Sequence, residues 1–333
     1  MLGLEVTEVF VSDDAIGGYL ELELGPKEFP LYPQALAYQS GRAALLALLE
    51  ARRPRCVWVP NYICTSVTDT LNQAETAFRY YRIDTNLHIA ETIALHPDDL
   101  LIYVNYFGVR DNYVSELLTE YAFGQVVIDC TQSLCSTPFD CLATIYSPRK
   151  FVGVPDGGLL VTSWPVQLPA AVDEGSYQRC LPLIKRLAFS AEAGYEEHRK
   201  ADRELGSQRP MRMSTLTGRL LSVIDFERIA AVRRHNFMLL HSALADVNLV
   251  SLEPPRVAAP MCYPLLTAHQ GLREFLIAAR VFVPRYWEGV GQIADFEAER
   301  FLADYLVPLP CDQRYNVGDM QRVLDAVHRF LHQ

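Results

Sequence analysis

ATIYSPRKFVGVPDGGLLVTS, residues 143–163, joins two apolar, β-rich runs through a short segment that holds Lys150. Lysine is scarce in this chain. It occurs at 27, 150, 185 and 200, against 26 arginines in 333 residues. A strand is expected over 143–146, followed by Ser147-Pro148-Arg149-Lys150, a turn at VPDGG and a new strand from Leu159. Proline and paired glycine restrict such a loop, so its side chains are expected to be positioned. A lysine that is desolvated or set beside other cations loses proton affinity and becomes a nucleophile for carbonyls. Arg149 is the neighbouring cation. A solvated surface charge is the other reading of the same lysine.

Outward from this stretch, strand and helix patterns alternate from about residue 35 to 165. CVWVP, AFRYY, LLIYVNYFG, QVVID, LATIYS and GGLLVTS are short apolar runs. GRAALLALLEARR, TSVTDTLNQA and NYVSELLTEYA between them are helix-compatible. Alternation of this kind predicts an α/β fold with a largely parallel sheet covered on both faces. Ligands of such sheets gather at the carboxyl ends of the strands, and Tyr62, Asn105, Asp129 and Lys150 all fall at or just past such ends. Residues 168–214 read as polar surface helix and connection. One long helix is expected over 215–244, with Leu220, Leu221, Ile224 and Val232 in its apolar stripe. A closing helix at DMQRVLDAVHRFL completes a smaller α+β part.

The 30 basic and 40 acidic side chains, a net charge of −10, argue against a nucleic-acid surface. The eight cysteines form no C-x-x-C pair and no zinc-like cluster, so reduced thiols in a cytoplasmic protein are expected and a metal is not. No signal pattern or membrane-length apolar run is read.

Two further segments carry chemistry. In YQSGRAALLALL, Ser40-Gly41-Arg42 opens a helix that is apolar almost all round and therefore buried. Its start is a candidate anion site, with Gly41 permitting close approach and Arg42 adding charge. Ser40 reads equally as an ordinary N-cap. In QVVIDCTQSL, Asp129 ends an apolar strand and needs a partner. It is either a cap for the next helix or an acceptor for a protonated ring nitrogen, with Gln132 facing the same site.

An anion-binding helix start, then an acid, then a lysine 21 residues further on resembles the order in fold-type-I pyridoxal-phosphate (PLP) enzymes. Within them the chain resembles the DegT/DnrJ/EryC1/StrS sugar aminotransferases. YQSGRAAL is similar to that family's Ser-Gly-Thr-Ala-Ala-Leu turn, VWVPNYICTSV to its Val-Pro-x-Tyr strand end, and VVIDCTQSL to its acid segment. YSPRKFVGVPDGG is similar to its Schiff-base lysine and Gly-Gly, and RMSTLTGRLLSVIDFERIAAVRRHN to its Arg-Met-Ser segment and long helix. The resemblance spans residues 35–245. Arg42 stands for the usual Thr, Cys64 for a ring-stacking aromatic, and Pro210 for an Asn given to the neighbouring subunit. Three residues rather than five separate Ser147 from Lys150.

The resemblance implies an N-terminal arm (1–34), a large PLP-binding domain (35–215) with a mixed, mostly parallel sheet, and a small C-terminal α+β domain (216–333). It implies Lys150 as the Schiff-base lysine, Asp129 on the ring nitrogen and Gln132 beside the ring hydroxyl. Ser40, Gly41, Arg42 and Ser147 would take the phosphate, with Tyr62, Cys64 or Tyr106 near the ring. The implied activity is amino transfer from glutamate or glutamine to a nucleotide-linked keto sugar, in surface-polysaccharide or secondary-metabolite biosynthesis, by a homodimer. A PLP-binding relative with another reaction, or a regulatory or inactive role, is the alternative. Arg212 and Arg285 are candidates for a carboxylate or diphosphate, or surface charges.

Overall fold

The structure, a computed structural model, describes residues 18–24, 31–253, 258–287, 290 and 296–332. The expected arm at 1–34 therefore lies mostly outside the described residues.

The alternating patterns form the elements β1 (Leu36–Tyr38), α1 (Gly41–Arg52), β2 (Cys56–Pro60), α2 (Thr65–Gln73), β3 (Phe78–Tyr81) and β4 (Asp99–Val104). They continue with α3 (Asp111–Leu117), β5 (Val126–Cys130), β6 (Ala143–Tyr146) and β7 (Gly158–Thr162). These strands make one seven-stranded sheet in the order β1-β7-β6-β5-β4-β2-β3. The pairs from β3 to β6 are parallel, whereas β7 runs antiparallel to β6 and β1 antiparallel to β7. All residues of β4 and β6 are buried, as continuous apolar runs with both faces covered require. From β2 the chain goes to β3 on one side and to β4 on the other, so the winding reverses at the β2/β4 pair and opens a crevice there.

Residues 168–214 form α4 (Leu181–Ala188) and α5 (Tyr195–Ser207). The single helix expected over 215–244 is two: α6 (Thr215–Ser222) and α7 (Phe226–Leu244). Asp225 explains the break, because its side chain accepts Arg228 N–H at 2.9 Å and so caps a new helix. The rest comprises β8 (Tyr263–Leu266), α8 (Leu272–Ala278), α9 (Glu297–Tyr305), β9 (Leu306–Leu309) and α10 (Val317–Leu331), with β8 and β9 antiparallel in a second sheet. One apolar core runs continuously from the large sheet through α7, β8, β9 and α10. No helix among the described residues is long and apolar enough to cross a membrane.

Candidate active site

The Lys150 loop is held from three sides. Phe151 is buried, and its carbonyl accepts from Arg233 Nη2 at 3.2 Å and Gln313 Nε2 at 2.7 Å. The Arg233 guanidinium also lies 4.6 Å from the Phe151 ring centroid, a cation–π contact. Further on, the buried Asp156 accepts from Ser214 N at 2.8 Å, Ser214 Oγ at 2.7 Å and Thr217 Oγ1, tying the VPDGG turn to the start of α6. Burial pushes the Asp156 carboxyl above its ordinary value, and the Thr217 and Ser214 donors push against that rise.

Gly157 and Gly158 have separate reasons. Gly157 has φ +128°, a conformation L side chains rarely adopt, and its N–H donates to Gln39 O at 2.7 Å. Gly158 lies against the start of α1, where a Cβ would fall 2.1 Å from Ser40 C. The loop and the helix start are thus in backbone contact. Gly41 is similarly confined, with a Cβ there meeting Thr131 Cγ2 at 3.2 Å.

This contact brings distant segments to one cavity of about 180 Å³ at the carboxyl ends of β4, β5 and β6. Ser40, Gly41, Arg42, Cys64, Asp129, Gln132, Ser147 and Lys150 all line it. Lys150 Nζ donates to Thr131 Oγ1 at 3.0 Å. Asp129 Oδ1 accepts Thr131 N–H at 2.8 Å, while Oδ2 has no partner among the described residues. Asp129 sits centrally, in register with Val104 on one side and Ile145 on the other. Ser40 is an N-cap, its Oγ accepting Ala43 N–H at 3.1 Å and its carbonyl Ala44 N–H at 3.1 Å. The Arg42 N–H, free of any acceptor among the described residues, remains at that helix start with its partial positive charge. Gln132 is buried, and its Oε1 accepts from Phe107 N at 2.9 Å, leaving only its Nε2 for a ligand.

Tyr62 is placed differently from these residues. It is 0% exposed and does not line the cavity, packing edge-on against Trp287 (4.6 Å) and beside Tyr106 (5.8 Å). Tyr106 is buried as well, its hydroxyl donating to Tyr62 O at 2.8 Å. Both follow their strands by two residues and pack in one aromatic cluster with Trp287. Trp287 lines the cavity in their place. Its position, far along the chain among aromatics in RYW, carries no local signal of a site. Thr131, Arg149 and Asp202 line it too. Arg285 is engaged by Asp304 and Ala303 O, and neither it nor Arg212 lines the cavity.

No family model matches this sequence, and neither does any curated protein. Solved structures do resemble it in fold. The sugar aminotransferase CalS13 from Micromonospora echinospora matches with a TM-score of 0.64 at 16% identity, covering 89% of this chain and 87% of that one. A DegT DnrJ EryC1 StrS aminotransferase from Brucella abortus matches at TM-score 0.61 and 17% identity, covering 89% and 85%. The PLP-form of Spr1654 from Streptococcus pneumoniae matches at 0.64 and 12%, covering 92% and 91%. Expected from Ser40-Gly41, Asp129 and Lys150 in that order, the α/β fold is the one that these aminotransferase structures share.

Proposed function

We propose that the protein is a PLP-dependent aminotransferase that moves an amino group from glutamate or glutamine to a nucleotide-linked keto sugar. The observation that carries this reading is the meeting of Lys150 Nζ and the half-free Asp129 carboxylate in one cavity at the strand ends. The shared fold with sugar aminotransferases supports the substrate class.

The donor set fits the cofactor. Asp129 Oδ2 would hold the protonated ring nitrogen, and Gln132 Nε2 the ring hydroxyl side. The α1 start, Ser147 and the Arg42 and Arg149 guanidiniums would take the phosphate. When bound, PLP supplies an electron sink for the substrate Cα. The chain's own residues do the rest. Asp129 would keep the ring nitrogen protonated, Lys150 would take and return the proton at Cα as general base and acid, and Trp287 would add an apolar wall. Donor and acceptor would use the site in turn.

The test is uptake of PLP by the purified protein, followed by absorbance, then borohydride reduction and peptide mapping. Covalent label on the peptide that contains Lys150 is the expected result. A protein that stays colourless with excess PLP would sink the proposal. We further propose a homodimer in polysaccharide or secondary-metabolite biosynthesis. Support for the dimer comes from α4 and its flank, where Ile184, Leu187 and Phe189 stand exposed. A solution mass of a single chain at micromolar concentration would count against it.

A further inference from the structure

The cationic end of the cavity already holds a carboxylate of the protein's own. Asp202, on α5, lies between Arg42 and Arg149. Its Oδ2 is 3.6 Å from Arg42 Nη2 and its Oδ1 is 3.4 Å from Arg149 Nη1. Arg42 Nη1 also donates to the Asp202 carbonyl at 3.4 Å. Gly206, one turn further along α5, leaves room for this crossing, since a Cβ there would lie 2.3 Å from Arg42 Nη1. The other acids of α5 are engaged elsewhere: Glu196 with Arg199, Glu197 with Lys185 and Glu204 with Lys200. Only Asp202 among them lines the cavity, together with Arg42, Arg149, Lys150 and Ser147.

We propose that Asp202 is a resident competitor of the ligand's phosphate group: it holds the Arg42 and Arg149 guanidiniums in readiness and yields them to an entering phosphate monoester. The inference rests on the cofactor reading above. Both ion pairs are longer than the ~2.7–2.9 Å of a strong charge-assisted hydrogen bond, and the Asp202 side chain is 51% exposed. Such pairs are weak, and the side chain is free to rotate away. A phosphate brings nearly twice the charge and three acceptor oxygens to the same two forks and to the Arg42 N–H. It cannot share them with a carboxylate at ion-pair distance without like-charge repulsion. Asp202 thus sets the affinity for the phosphate without touching the reacting atoms.

The test compares the wild type with Asp202→Asn and Asp202→Ala. Binding of PLP and of pyridoxal is followed by absorbance, and binding of inorganic phosphate by calorimetry. Affinity for PLP and for inorganic phosphate is expected to rise about tenfold in both variants, with pyridoxal unchanged, as loss of two long pairs to a half-exposed carboxylate allows. In an Arg149→Gln background the gain should shrink, because one of the contested guanidiniums is gone. Unchanged or weaker phosphate affinity overturns the proposal, as does an equal gain for pyridoxal. Failure of the cofactor reading is a separate result. It shows as a wild type that takes up no PLP, and the inorganic-phosphate measurements then still decide the role of Asp202.

Discussion

Lys150→Ala is expected to slow amino transfer from the donor by about 10³-fold or more while leaving the fold intact, since a positioned acid–base group contributes on the order of 10²–10⁴-fold and the Schiff-base link is lost with it. Lys150 is the one primary amine among the described residues that line the cavity. Lys185 and Lys200 are occupied on the outer surface by Glu197 and Glu204. Among the described residues no other lysine lines the cavity. The side chain is exposed and its single hydrogen bond among the described residues goes to Thr131 Oγ1, so its removal leaves no buried group there unsatisfied. Thermal unfolding of the variant should match the wild type. Single-turnover absorbance changes with glutamate give the rate, and added methylamine should restore part of it by replacing the missing amine. A variant that exchanges amino groups at the wild-type rate would remove Lys150 from the mechanism.

The order of segments is legible because each carries a local signal. CVWVP forms β2 without a shift of boundary, and QVVID, LATIYS and GGLLVTS form β5, β6 and β7 within a residue or so. Short apolar runs between breakers fit buried strands, and burial on both faces favours the parallel arrangement, which β5 and β6 adopt and β7, antiparallel to β6, does not. Leu36–Tyr38 shows no such signal because three residues are too few to show a period, and its pairing with β7 is a tertiary fact. The split of 215–244 is hidden because SVID continues the apolar stripe, while the event that decides it is Asp225 turning its side chain to a backbone N–H. Helical period alone does not see a cap.

The site divides the same way. Ser40, Gly41, Asp129, Ser147 and Lys150, which the sequence singles out at helix starts and strand ends, all line the cavity. At Tyr62 the sequence shows that an aromatic follows a strand but not which side it faces, and the ring is buried. Asp202 and Trp287 reach the cavity through α5 and a C-terminal segment, and a residue brought in by tertiary packing leaves no trace in its neighbours. The phosphate end shows the consequence. In sequence Arg42 reads as an added charge for the ligand, whereas its guanidinium is already engaged by a residue 160 positions away.

Gly158→Ala is expected to destabilise the protein by about 4 kcal/mol or more, in the range reached only by strain that the surroundings cannot relieve. The added methyl would sit 2.1 Å from Ser40 C, 2.2 Å from Ser40 O and 2.4 Å from Gly41 N. All three are backbone atoms, so no rotamer change can clear the space. Either β7 separates from the start of α1 or the helix start moves. Both are fixed: Gly158 is in register with Tyr38, and α1 buries every residue from Ala43 to Leu49. The displacement would also pull Ser40 and Arg42 away from the Lys150 loop, so PLP uptake should fall together with stability. Gly218→Ala is the control. That glycine lies inside α6 with nothing within 4 Å of an added methyl, and alanine there should stabilise the helix by roughly 0.5–1 kcal/mol. Urea unfolding of both variants checks the pair. Equal stabilities would mean that the close approach of the lysine loop to the helix start, on which the geometry of the cavity depends, does not exist in solution.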